Sequence, residues 1–247
     1  MEILQKNPGA LWTEELLERC RLPNPSPSRG EGQVREAIQG EGASYGEGAG
    51  IPSPSAADAA FPSPPQGEGS SPFTRLVIAV DPPTGDGTCG IIACARDSHG
   101  KAHILADHSV TAQSPEAWSR AVADSAHLWG QSLVTVPLPV LVVAESNQGG
   151  LMVQSVLRIS DPALNIKLVP AIQGKSDRAA PVAMLFEAGM VAVHGRFPEL
   201  EAQLCGMIAG GDYEGPGTSP DRADAMVWGL TELMLQKERA EPRIRRL

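Results

Sequence analysis

Three apolar runs divided by turn signals, followed by a regular alternation of helix and strand signals, limit this chain to one kind of architecture from Phe73 onward. Arg75-Leu-Val-Ile-Ala-Val80 reads as a buried strand, Cys89-Gly-Ile-Ile-Ala-Cys94 as a second, and Ala102 to Val110 as a third, with turns at Pro82 to Gly87 and at Ser98-His-Gly100. Together they read as a three-strand meander. Ser114-Pro115-Glu116 then starts a helix with Pro at its first position, running through Ala117 to Trp129, and Pro139-Val-Leu-Val-Val-Ala144 is a fourth strand. Further helices are expected at 149–159, 177–188, 197–208 and 221–238, with a strand near Ile166 to Pro170. The expected fold is α/β, a mixed sheet flanked by helices.

Upstream the pattern stops. Residues 24–72 contain no leucine and are dominated by Pro, Ser, Gly, Glu and Ala, so they lack the apolar surface that would offset the entropy of ordering. They read as a disordered low-complexity insertion. Within them Pro25-Ser-Pro-Ser-Arg-Gly-Glu-Gly32 and Pro62-Ser-Pro-Pro-Gln-Gly-Glu-Gly69 match at six of eight positions, too short and polar for a solenoid unit. Residues 1–23 hold one short helix after Thr13, which suits an N-cap, with Glu14 and Glu15 in the positive first turn. Such a helix is too short to persist alone and needs a surface to pack on. The expected organisation is a helical segment at 1–23, the insertion at 24–72 and one folded domain at 73–247.

The formal charge of −9 speaks against a protein that coats nucleic acid through Lys and Arg, but not against one whose site concentrates carboxylates around divalent cations. Cys20, Cys89, Cys94 and Cys205 form no C-x-x-C pair and sit in apolar surroundings, which predicts free buried thiols and a reducing compartment. No stretch approaches a signal peptide's apolar run or a membrane span, so the expectation is a cytoplasmic protein with no membrane partner.

Asp81 directly follows the first strand, Glu145 the fourth, and Asp224 lies in the first turns of the last helix. Sites in open α/β sheets form outside the carboxyl ends of strands, where the first two carboxylates fall. Singly, each has a plain structural explanation: a turn before Pro82, a solvated strand end, a helix N-terminus favouring negative charge. A fold that brings strand one beside strand four gathers them. Hard oxygen donors suit Mg²⁺ or Mn²⁺, and two such ions activate water and stabilise a departing 3′ oxygen. Asp221 shares a helix face with Asp224 and is a further candidate to bind metal or its waters.

The same residues carry a family resemblance. Val77-Ile-Ala-Val-Asp81-Pro-Pro, Ala144-Glu145-Ser-Asn-Gln-Gly-Gly150, Gly174-Lys-Ser-Asp-Arg-Ala179 with the following Pro181 to Gly189, and Ser219-Pro-Asp-Arg-Ala-Asp224-Ala-Met-Val-Trp-Gly resemble the nuclease domain of the phage terminase large subunit. The resemblance covers about residues 73–236, and Asn7 to Trp12 resembles the segment just upstream. It implies a ribonuclease H-like domain that cuts double-stranded DNA during headful packaging in phages and related gene-transfer particles. It also implies metal ligands at Asp81, Glu145 and Asp224, with two Mg²⁺ or Mn²⁺ ions. The loop from Thr84 to Thr88 is shorter than the pattern leads one to expect.

Lys175 and Arg178 open the helix after the fifth strand and are candidate phosphate contacts, although exposed Lys and Arg are commonly only solvated charge. Gly149 and Gly150 either let backbone approach a ligand after Glu145 or simply turn the chain. Gly174-Lys175-Ser176 imitates a phosphate-binding loop, but that loop needs a glycine five residues earlier and position 169 is valine. An ATP-driven motor is therefore expected on a separate packaging ATPase, with a portal or small terminase subunit as further partners. The histidines at 99, 103, 108, 127 and 194 show no zinc spacing. Two rivals stand beside the packaging nuclease: another ribonuclease H-like nuclease such as a junction resolvase, marked by preference for branched DNA, and a non-catalytic packaging fragment that docks on a partner.

Overall fold

The computed structural model of the protein describes residues 9–22, 73–83, 85, 87–111, 113–132, 138–146 and 149–236. The disordered insertion expected at 24–72 and the last two residues of the helix expected at 221–238 lie outside the described residues.

Strands β1 (Phe73–Asp81), β2 (Thr88–Asp97) and β3 (Ala102–Asp107) pair antiparallel in succession, as the meander reading expects. After helix α2 (Pro115–Ser132), strand β5 (Val140–Glu145) lies parallel to β1, in register from Leu76↔Val140 to Val80↔Ala144. Helix α3 (Leu151–Ser160) leads to β6 (Asn165–Val169), parallel to β5. Two strands were missed. Val110–Thr111 (β4) pairs with the start of β2, and Val191–Val193 (β7) adds to β3 in parallel. Both are too short to show a strand periodicity in the sequence. The main sheet runs β6-β5-β1-β2-β3-β7, so β1 is central and its residues from Leu76 to Asp81 are buried.

Alternation along β1 divides the interior into two layers. Val77 and Ala79 face one apolar cluster, built with helices α4 (Lys175–Glu187), α5 (Pro198–Cys205) and α6 (Asp221–Leu230), while Leu76, Ile78 and Val80 face another under α2 and α3. Helix α6 is buried from Ala223 to Leu230 and ends in one π-helical turn, Thr231–Leu235. Its closeness to the sheet depends on small residues: a Cβ at Gly229 would stand 3.0 Å from both Ala79 Cβ and Cys94 Sγ.

Helix α1 (Glu14–Cys20) begins as expected, with Leu16 N–H donating to Thr13 Oγ1 at 3.2 Å. The surface it needs is supplied by this same domain. Trp12, Leu16, Leu17 and Cys20 are buried in the first apolar cluster, with Trp12 edge-on to Phe186 at 5.7 Å. Leu22 N–H donates to Val193 O at 2.9 Å, and the Arg21 guanidinium holds both oxygens of Glu201 at 3.0 Å. All four cysteines are free thiols. No helix among the described residues is long and apolar enough to cross a membrane.

Candidate metal centre at the carboxyl end of the sheet

Because β1 and β5 are adjacent and parallel, with Val80 paired to Ala144, their next residues, Asp81 and Glu145, emerge at one level on the same sheet edge. Asp224 reaches that edge from α6. The strand residue opposite Asp81 is Gly90, and a Cβ there would fall 2.0 Å from the Asp221 carbonyl oxygen and 3.0 Å from Ala225 Cβ. Only a glycine lets the first turn of α6 rest on β2 at this point. Pro220 precedes that turn and supplies no side-chain cap; instead Gln203 of α5 accepts from Arg222 N–H at 2.9 Å and Ala223 N–H at 3.1 Å through its Oε1. The start of α6, and with it Asp224, is thus fixed by a glycine on one side and a borrowed amide on the other.

The site is acidic and largely buried. Asp224 is fully buried and Asp81 is 9% exposed. Burial, then the neighbouring Asp224 and Glu145, raise the Asp81 carboxyl well above the ordinary range, and Lys175 opposes the shift. Asp221 is raised by burial, against hydrogen bonding from Ser219 and the charge of Lys175. The Cys89 thiol is pushed well up by burial and by Asp81 and Asp221.

Two cations answer this charge from α4. The Lys175 ammonium is paired with Asp224 Oδ2, an oxygen that accepts no hydrogen bond among the described residues, and also lies 3.0 Å from Ser219 Oγ. Burial pulls the Lys175 pKa down, but Asp224, Asp81 and Asp221 outweigh it and leave the pKa raised. The Arg178 guanidinium stands 3.2 Å from Asp224 Oδ1 and 3.8 Å from Glu145 Oε2, with its central carbon 4.5 Å from the centre of the Trp228 ring. Trp228 Nε1 donates to Glu145 Oε2 at 2.9 Å. Among the described residues, no three carboxylate, imidazole or thiolate groups close into a ready-made cage for an ion. The basic side chains stand among them.

The structure therefore brings Asp81, Glu145, Asp221 and Asp224 to one end of the sheet and turns Lys175 and Arg178 inward onto the carboxylates. Gly150 adopts φ 52°, a conformation that favours glycine, and begins α3. Trp228 and Gln203 were not foreseen. Trp228 lies four residues after Asp224, a spacing that puts both on one helix face, whereas nothing in the sequence links Gln203 to α6.

Residues 78–233 match the family model described as the terminase RNaseH-like domain. The chain belongs to this terminase nuclease-domain family. The matched span contains all four acidic residues of the site, and the observed sheet is the ribonuclease H-like arrangement that the terminase resemblance implies. No curated protein sequence matches the chain. Among solved structures it is similar to the large terminase of a thermophilic bacteriophage in complex with ADP, with 9% identity over 65% of this chain and 40% of that one and a TM-score of 0.50. It is also similar to the large terminase nuclease of thermophilic phage G20c with bound magnesium, at 18% identity over 67% and 85% of the two chains and a TM-score of 0.48. For the P22 large terminase nuclease domain the values are 12%, 68%, 84% and 0.49. At these identities the likeness concerns the fold alone.

Proposed function

We propose that this terminase-family chain is a divalent-metal-dependent endonuclease that cleaves double-stranded DNA during phage-type genome packaging, with Asp81, Glu145 and Asp224 as ion ligands. The observation that carries the reading is the convergence of three carboxylates, from β1, β5 and α6, at one end of the sheet, where burial and like charge hold Asp81 well above its ordinary pKa. Such a concentration of buried negative charge is costly unless a cation compensates it.

The donor set fits a hard ion: every candidate ligand is a carboxylate oxygen, and the buried Asp224 Oδ2 is met by a cation, the Lys175 ammonium. Mg²⁺ or Mn²⁺, as a pair, would supply an activated water and neutralise the departing 3′ oxygen. Asp81, at the end of the central strand, holds the middle of the site; Glu145 and Asp224 flank it, and Asp221 orients bound water from the edge. Lys175, whose side chain is 46% exposed, is the residue placed to meet a phosphate, whereas the Arg178 guanidinium is directed into the protein at 9% exposure. An ATP-handling packaging component, a portal and a small terminase subunit are the proposed partners, acting in the bacterial host cytoplasm.

A plasmid-nicking assay with Mn²⁺ and Mg²⁺ tests the reading. Wild-type protein is expected to cut with little sequence preference and Asp81→Ala to be inert. Full cleavage by Asp81→Ala in a contaminant-free preparation overturns it.

A further inference from the structure

The two basic residues in the site differ in every respect that governs whether a cation stays. We propose that Arg178 is a fixed positioning residue, which with Trp228 holds Glu145 and Asp224 as ion ligands, and that Lys175 is a displaceable counter-ion which the metal replaces on Asp224. The proposal rests on the metal-dependent reading above.

Arg178, Trp228, Glu145 and Asp224 form a closed set. The guanidinium faces Asp224 Oδ1 at 3.2 Å and Glu145 Oε2 at 3.8 Å, donates to Gln173 O at 3.2 Å, and stacks over the Trp228 ring at 4.5 Å. That indole in turn donates to Glu145 Oε2 at 2.9 Å. Asp224 and Trp228 share one face of α6, so a single rigid helix presents one ligand together with the platform that orients the other. A planar guanidinium that is buried, stacked on an indole and shared through Nη2 between two carboxylates loses little further entropy by remaining there. Partners of this kind set ligand orientation, and their loss weakens metal binding by about 10- to 100-fold.

Lys175 is the opposite case. Its side chain is 46% exposed, it reaches Asp224 on the other oxygen, Oδ2, and it also donates to the Ser219 hydroxyl. A strongly hydrated ammonium on a flexible stem returns readily to water. Asp224 thus divides its oxygens: Oδ1 is committed to Arg178, and Oδ2 is lent to Lys175. An ion held by Asp224 would have Oδ2 as its acceptor there, since Oδ1 is committed to Arg178, and the ammonium would have to leave. Removing Lys175 frees an oxygen that is otherwise masked most of the time, so apparent ion affinity rises by the reciprocal of the unmasked fraction, roughly 3- to 10-fold.

The test is titration calorimetry of the full chain with Mn²⁺ in the absence of DNA, with the melting temperature in EDTA recorded for each variant. Lys175→Met is expected to tighten Mn²⁺ binding by roughly 3- to 10-fold. Arg178→Lys keeps the charge but loses the planar group and its stacking, and is expected to weaken binding by about 10-fold or more. Trp228→Phe keeps the stack, loses the hydrogen bond to Glu145 and is expected to fall between wild type and Arg178→Lys, which covers the case where Arg178→Lys does not fold. Unchanged or weaker binding by Lys175→Met, or wild-type binding by both Arg178→Lys and Trp228→Phe, overturns the proposal while leaving the nuclease reading intact. A wild-type protein that neither binds Mn²⁺ nor cuts DNA overturns both.

Discussion

Replacing Gly90 by alanine tests the link between packing and site most directly. The added Cβ would lie 2.0 Å from the Asp221 carbonyl oxygen, and both atoms belong to backbone that cannot swing aside. Since non-bonded heavy atoms settle about 3.5 Å apart, the start of α6 has to retreat by at least about 1 Å. Overpacking of this kind costs on the order of 1–3 kcal/mol, or roughly 2–12 °C in melting temperature for a domain of this size. The same retreat moves Asp224 away from Asp81, and a misplacement of about 1 Å lowers turnover by roughly 100-fold. Urea unfolding and plasmid nicking read the two effects separately. Gly130→Ala is the control, because its Cβ would meet Val140 Cγ2 at an ordinary 3.4 Å and helix propensity favours the change. A Gly90→Ala protein with wild-type midpoint and wild-type nicking would refute the argument that this glycine seats the helix.

Other outcomes follow from the same structure. Asp81→Asn should abolish cleavage yet raise the melting temperature in EDTA at pH 7: burial and like charge lift the Asp81 pKa, so its ionised form destabilises the fold, and the difference should vanish below the ordinary carboxyl range. Asp221→Ala should slow nicking less than Asp224→Ala, since Asp224 is fully buried and carries both basic partners; the reverse order would assign the ligand to the wrong residue. His194 is pushed down to about 4 by burial and by the charge of His103, 2.8 Å away, so the stability it contributes is present above its ordinary value of 6.5 and lost as pH falls from there toward 4. A melting curve series from about pH 7.5 to 4.5, spanning that window, should therefore fall less steeply for His194→Gln than for wild type. Trp12→Ala, at a fully buried position against Phe186, should cost about 3–5 kcal/mol in urea unfolding; a change under about 1 kcal/mol would show that α1 is only loosely attached.

The central strands were legible because their signal is local: apolar runs at 76–80, 89–94 and 140–144, the first and last followed directly by carboxylates, say both that a strand is buried and which end bears the site. The boundaries of α3 and α5 came within a few residues for the same reason. What stayed hidden depends on residues far apart in sequence. Lys175 and Arg178 look like free surface cations until α6 arrives beside α4 and gives them Asp224 and Trp228. Strand β7 has three residues and exists because β3 offers an edge. The amphipathic α1 showed that it needed a partner, but its sequence does not say that the partner is the same chain's own α4, α5 and β7.

The docking of α1 also bears on the order in which the protein can be completed. Its contacts join residues separated by up to 180 positions, from Arg21 to Glu201. During synthesis the layer beneath α4, α5 and α6 cannot be sealed until the chain has been extended past residue 233, and until then Trp12, Leu16 and Leu17 have no complete burial site. The layer under α2 and α3, made from residues 73 to 168, has no such dependence and can consolidate first. The start of α6 has no freedom in length: a change of one residue between Ser219 and Asp224 would alter the register of the site.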